Sequence, residues 1–139
     1  MRKLLGVLAA CSIMVLSAFP AIAQNVENAP PGGAYKKVSD LVKLPDFLPS
    51  IGTLYVDPKT LPEGPFLAYD HKGKLVSTIY MIPLKELDGQ KAWSDLAAPG
   101  GTVDHVTISY NAGHPGVAEP HYHIVLWHIP KAEEKLVAK

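Results

Sequence analysis

Residues 102–110, TVDHVTISY, and residues 121–129, HYHIVLWHI, decide how the chain is read. Both runs are dense in β-branched and aromatic side chains, and the stretch between them, NAGHPGVAEP, is rich in glycine and proline. That pattern predicts two antiparallel strands joined by a loop. Alternate side chains of a strand share a face, so His121 and His123 project the same way with Cα atoms about 6 to 7 Å apart. A symmetric loop would pair Tyr110 with His121 and Ile108 with His123, making Val106, Ile108 and Tyr110 an apolar wall beside the histidines. The other parity collects His105, Thr107 and Ser109 with Tyr122, Ile124, Leu126 and His128, a mixed face.

Upstream, residues 66–70 and 74–82 flank His71-Lys72-Gly73 and predict a hairpin, the glycine supplying the positive φ of a three-residue connection. Residues 53–56 predict a short strand before the Asp57-Pro58 and Pro62-Glu63-Gly64-Pro65 turn signals. Val38, Leu41 and Val42 fit one or two helical turns, capped by Ser39 or Asp40 and stopped by Pro45 and Pro49. Leu84, Leu87, Trp93 and Leu96 suggest a helical face, interrupted by Gly89 and closed by Pro99-Gly100-Gly101. The expected fold is α+β, one small domain with a mainly antiparallel sheet of about five strands and one or two short helices. The expected organisation is a signal peptide over residues 1–23, a flexible lead-in over 24–36, the globular domain over 37–130 and a charged, fraying tail over 131–139.

The signal peptide rests on Arg2 and Lys3, an apolar run over residues 4–19, and the Ala21-Ile22-Ala23 ending, which predicts cleavage between Ala23 and Gln24 and a periplasmic or secreted product. An uncleaved anchor is disfavoured by Pro20, and a lipoprotein site at Cys11 by the shortness of the apolar run before it. Cleavage would remove the single cysteine, so neither disulfides nor thiolate ligands would serve the mature chain. Of the 139 residues, 13 are basic and 13 acidic, with no basic cluster, which argues against nucleic acid and, after cleavage, against an anionic membrane as partners. Phosphate-binding glycine loops, nucleophile elbows and CxxC pairs are absent from the sequence.

What remains is histidine. Five of the six lie between positions 105 and 128. His121 and His123, with His114 and Glu119 from the preceding loop, form a candidate site for zinc, iron or copper(II), all of which accept imidazole and carboxylate. The alternative for the pair is two half-exposed imidazoles; for His114 it is turn chemistry in His-Pro-Gly, and for Glu119 a solvated carboxylate. His105 and His128 read as hydrogen-bonded sheet residues, and Trp93, Trp127 and Tyr110 as core aromatics. Asp104 and His105 are neighbours expected to face opposite ways.

Gly113-His114-Pro115-Gly116 followed by Pro120-His121-Tyr122-His123 resembles a family of small exported bacterial domains of unknown function with a G-H-P loop and a P-H-aromatic-[D/H] strand. Gly52-Thr53-Leu54-Tyr55-Val56-Asp57-Pro58 and Gly64-Pro65-Phe66-Leu67-Ala68-Tyr69 look like that family's N-terminal half, so the resemblance spans most of residues 38–129. It implies metal binding and homo-oligomers, without an established reaction. Where relatives carry a further histidine four residues after the first, this chain has Val125. The HxH pair is also similar to the first cupin motif, but only a short tail follows Ile129, which excludes a complete cupin.

Three functions follow as expectations. The first is an exported metal-binding domain, whose open coordination position could activate water in a hydrolase, lyase or oxygenase. The second is a metal-free homo-oligomeric assembly module of the cell envelope. The third is a metal-free acid–base enzyme using His114 or His121. Whether the protein is an enzyme at all stays open at this level.

Overall fold

The computed structural model describes residues 25–139; the expected signal peptide and Cys11 lie outside the described residues. A single antiparallel sheet organises the chain. In sequence order it contains β1 (Lys36–Lys37), α1 (Val38–Leu41), β2 (Thr53–Val56), β3 (Phe66–Tyr69), β4 (Leu75–Pro83), α2 (Leu84–Asp88), β5 (His105–Asn111) and β6 (His121–Trp127). Short 3-10 turns occupy Pro58–Thr60 and Lys131–Val137. The strands lie in the order β1-β2-β3-β4-β6-β5, all neighbours antiparallel. The α+β expectation holds, with six strands rather than about five. The additional one, β1, is two residues long and owes its state to pairing of Lys36 with Val56 and Lys37 with Tyr55, not to local sequence.

The β3–β4 hairpin forms where turn chemistry demands it. Asp70 Oδ1 accepts from the backbone N–H of Lys72 (2.8 Å) and Lys74 (2.9 Å), while Gly73 takes φ +78° and donates to the Asp70 carbonyl. β4 is buried along its whole length, which suits its near-continuous apolar sequence. Phe66, Ala68, Ile79, Met81 and Trp127 face one core, closed by Val38 and Val137 and flanked by Val42, Leu44, Phe47 and Ile51. Leu67, Tyr69 and Leu75 face the other way, under Val26, Ala29 and Tyr35. No helix among the described residues is long and apolar enough to cross a membrane.

Several local expectations are corrected. The lead-in is tied to the sheet: Ala29 donates to Gly73 O, Leu75 donates to Glu27 O, and Tyr69 Oη donates to Val26 O. The tail is tied down too, because Val137 is fully buried and its carbonyl accepts from Ser50 N–H. Its charged residues concealed one apolar anchor. The helical face proposed through Leu96 ends at Asp88, since Gly89 closes α2 and Gln90 turns at φ +59°. From there the chain runs extended over the second face of β4, where Tyr80 Oη donates to Ala97 O and Thr78 Oγ1 to Pro99 O. Lys37, with no side-chain cap, precedes α1, so neither Ser39 nor Asp40 caps it.

Candidate metal centre

The loop between β5 and β6 is shaped by two glycines. Pro115-Gly116 occupies the corner of a tight turn in which His114 and Val117 exchange both backbone hydrogen bonds (2.9 and 3.0 Å), with Gly116 at φ +91°. Gly113 sits at φ +123°, and a Cβ there would lie 2.4 Å from Ala118 O, so only glycine lets the two limbs of the loop approach. Asn111 Oδ1 accepts from Gly113 N–H (2.8 Å) and steadies the first limb. The compact loop folds His114 back over the start of β6.

His114, His121 and His123 converge there, each offering one nitrogen, with the three atoms within 4.8 Å of one another. His121 is fully buried and the other two are half-buried. The ring centroids of His121 and His123 are 4.8 Å apart, and that of His114 lies 4.9 Å and 5.6 Å from them. Two backbone carbonyls set the tautomers. His121 Nδ1–H donates to Glu119 O (2.7 Å) and His114 Nδ1–H to Pro115 O (3.0 Å), which in the neutral rings leaves each Nε2 as a bare lone pair. His121 Nε2 and His123 Nε2 are 2.9 Å apart, so in the metal-free chain His123 donates its Nε2 proton to His121. Burial, reinforced by His121 and then His114, pushes the His123 pKa down to about 4 and keeps the ring neutral at neutral pH.

Glu119 contributes differently from the sequence expectation. Its carboxylate pairs with Lys85 Nζ at 2.6 Å on the exposed surface, and only its main-chain oxygen reaches the site, holding His121. The carbonyl of Pro120 accepts the Leu84 N–H, and with the Lys85 pair this anchors the loop to α2 and turns the Glu119 side chain outward.

The strand register is also corrected. Asn111, not Tyr110, lies opposite His121, and Ser109, not Ile108, opposite His123. The loop spends its residues asymmetrically on the His114–Val117 turn, and the one-residue difference exchanges the faces of β5. The histidine face therefore carries Asn111, Ser109 and Thr107 of β5, with Met81 opposite His123 on β4. Val106, Ile108 and Tyr110 point to the opposite face and are 51%, 66% and 56% exposed, so Tyr110 is no core aromatic.

The remaining histidines have other roles. His128 is held between Thr78 Oγ1 at Nε2 (2.8 Å) and the Thr102 carbonyl at Nδ1 (3.1 Å), as a sheet histidine should be. His105 is stacked on Trp127, its Nε2 against Glu134 (2.7 Å) and its Nδ1 against Asp104 (2.8 Å); these two carboxylates, Glu134 first, raise its pKa. The Asp104 contact was not expected from strand alternation, but Asp104 precedes β5, where alternation no longer applies. Asn111 and the carbonyls of Pro115 and Glu119 were missed by sequence reading, since only the Pro-Gly corner hinted at a loop closing on itself.

An apolar cavity of about 430 Å³ opens from His114 and His123 between the sheet and the segment around α1. Its floor is Ile79, Met81, Val125 and Trp127, and no Asp, Glu, Lys or Arg lines it among the described residues.

No curated protein matches the sequence. The family described as TTHB210-like, hypothetical protein TTHB210, matches residues 70–110, a stretch that stops before the Gly113-His114-Pro115 loop. Among solved structures, the crystal structure of hypothetical protein TTHB210 from Thermus thermophilus is 46% identical, with a TM-score of 0.62. The match covers 68% of this chain and 93% of that one. At that identity, and over nearly the whole of the relative, the chain belongs to the TTHB210-like family.

Proposed function

We propose that the chain is an exported domain that binds a divalent transition metal through His114, His121 and His123. The convergence of the three imidazoles carries the reading. Support comes from the carbonyl partners that leave Nε2 of His114 and His121 without a proton in the neutral rings, and from the low proton affinity of His123, which spares a metal proton competition at neutral pH. A tetrahedral ion with bonds of 2.0 to 2.1 Å separates its nitrogens by about 3.3 Å. The His121 and His123 rings, now at 2.9 Å, would part by a few tenths of an ångström as the ion replaces their shared proton. Three neutral ligands with one open position suit zinc best, with iron and copper(II) as competitors. Binding is favoured over hydrolysis because no carboxylate lines the cavity, among the described residues, to serve as general base. Export is supported by the charged start, apolar run and Ala-Ile-Ala ending of residues 1–23.

Metal analysis of protein purified without a nickel column tests the site. Stoichiometric zinc in the parent and its loss in the His121→Ala/His123→Ala variant are expected; equal content in both, or none in the parent, rejects it. N-terminal sequencing of the periplasmic fraction tests export, with Gln24 as the expected first residue and an intact Met1 in the cytosol as the opposing result.

A second reading, self-association in the envelope, is favoured by one observation. The exposed Val106, Ile108 and Tyr110 form an apolar patch on β5, which ends the sheet order. Light scattering of the parent beside Ile108→Lys tests it. A larger species in the parent that the variant dissociates is expected, and a monomeric parent removes it.

A further inference from the structure

The cavity beside the histidines has chemistry of its own. Its wall is predominantly apolar and free of charged side chains among the described residues, yet one end is built from His114 and His123. Ser50 and Asn111 line it as well, and so does the hydroxyl of Ser77. That hydroxyl is fully buried, and its Oγ has no hydrogen-bond partner among the described residues. A buried hydroxyl left unsatisfied forfeits its hydration without a replacement bond, so such a group in a native fold calls for an explanation. Ser77 and Met81 share a face of β4; Met81 lies opposite His123, whereas Ser77 lies opposite Trp127. They stand four positions apart along the strand, a span of about 13 Å. The cavity is thus elongated, with metal-ligating nitrogens at one end and an unpaired hydroxyl towards the other.

The charge balance selects the head group. Three neutral imidazoles leave a divalent ion its full charge, and nothing in the cavity wall compensates it. A bare double charge against apolar surface is unfavourable, and an anion bound at the open position relieves it. The wall beyond that position favours buried hydrocarbon, and the volume falls in the range of about 300 to 1,000 Å³ that holds one small ligand.

From this we infer that the cavity binds an elongated aliphatic monocarboxylate, its carboxylate on the metal held by His114, His121 and His123, its chain along Ile79 and Val125, and its far end reaching Ser77. The inference rests on the metal-site reading, and the experiment separates the two.

Zinc content is measured first, on the whole protein. Decanoate, ω-hydroxydecanoate and butyrate are then titrated calorimetrically into zinc-loaded protein, chelator-treated protein and the Ser77→Ala variant, whose folding and zinc content are checked. Decanoate should bind the zinc-loaded form at least tenfold more tightly than the chelated form, and at least tenfold more tightly than butyrate does. ω-Hydroxydecanoate should bind several-fold more tightly than decanoate, and Ser77→Ala should abolish that preference while retaining zinc. If zinc binds but decanoate does not, or binds equally without zinc, the inference is overturned and the metal site stands. If the hydroxyl preference survives in Ser77→Ala, the assignment of the far end is wrong. Failure to bind zinc at all removes both the site and this inference.

Discussion

His123 gives the sharpest test of the site's electrostatics. Burial against two other imidazoles lowers its pKa from 6.5 to about 4 in the fold, while in the unfolded chain it titrates at about 6.5. Between these values the unfolded state binds a proton that the native state refuses, so lowering the pH favours unfolding. The contribution is fully present above about pH 6.5 and is lost as the pH falls towards 4. At about 1.4 kcal/mol per pKa unit the whole shift corresponds to about 3 kcal/mol, and partial exposure of the ring reduces this to about 2. The assay is urea unfolding of chelator-treated protein at pH 7 and pH 4.5, for the parent and for His123→Gln. The parent should lose about 2 kcal/mol more than the variant over this interval. His105 runs the other way: its pKa is raised by Glu134 and Asp104, so its contribution is present at low pH and lost as the pH rises through its folded value. Being common to both proteins, it cancels. Equal losses in parent and variant would refute the claim that His123 is held neutral by its surroundings.

Three further outcomes follow from the same geometry. Gly113→Ala, forced into φ +123° with its methyl against Ala118 O, should cost about 1 to 3 kcal/mol in chemical denaturation and weaken zinc binding by displacing His114. Glu119→Gln should leave zinc affinity within a few-fold of the parent in a competition titration, because the main-chain oxygen and not the carboxylate supports His121; a large loss would place the carboxylate on the metal after all. Val137→Ala should destabilise the protein by about 2 kcal/mol, against no effect for a frayed tail, since this side chain is fully buried in the core beneath the sheet.

Local sequence carried a good part of the architecture. The β3–β4 hairpin was legible because Asp70 and Gly73 satisfy a turn within their own neighbourhood, and β2 because strong turn signals follow its four residues. Strand alternation likewise required His121 and His123 to share a face, and β6 places them so. Features that depend on distant partners were illegible. Lys36–Lys37 becomes a strand only against β2, and the 25–35 and 131–139 segments are ordered by contacts made far along the chain.

The division is clearest at the site itself. Residue order alone determined the antiparallel character of the fold, the shared direction of two imidazoles and the presence of a Pro-Gly corner before them. Tertiary structure decided the register of β5 against β6, the approach of His114, the outward turn of Glu119 to Lys85, and the placing of Ser77 within the same cavity as His123. The reason is physical. Periodicity and turn chemistry act over a few residues and are written into the chain, whereas register depends on how many residues a loop consumes, and a cavity exists only where separately specified surfaces close upon one another.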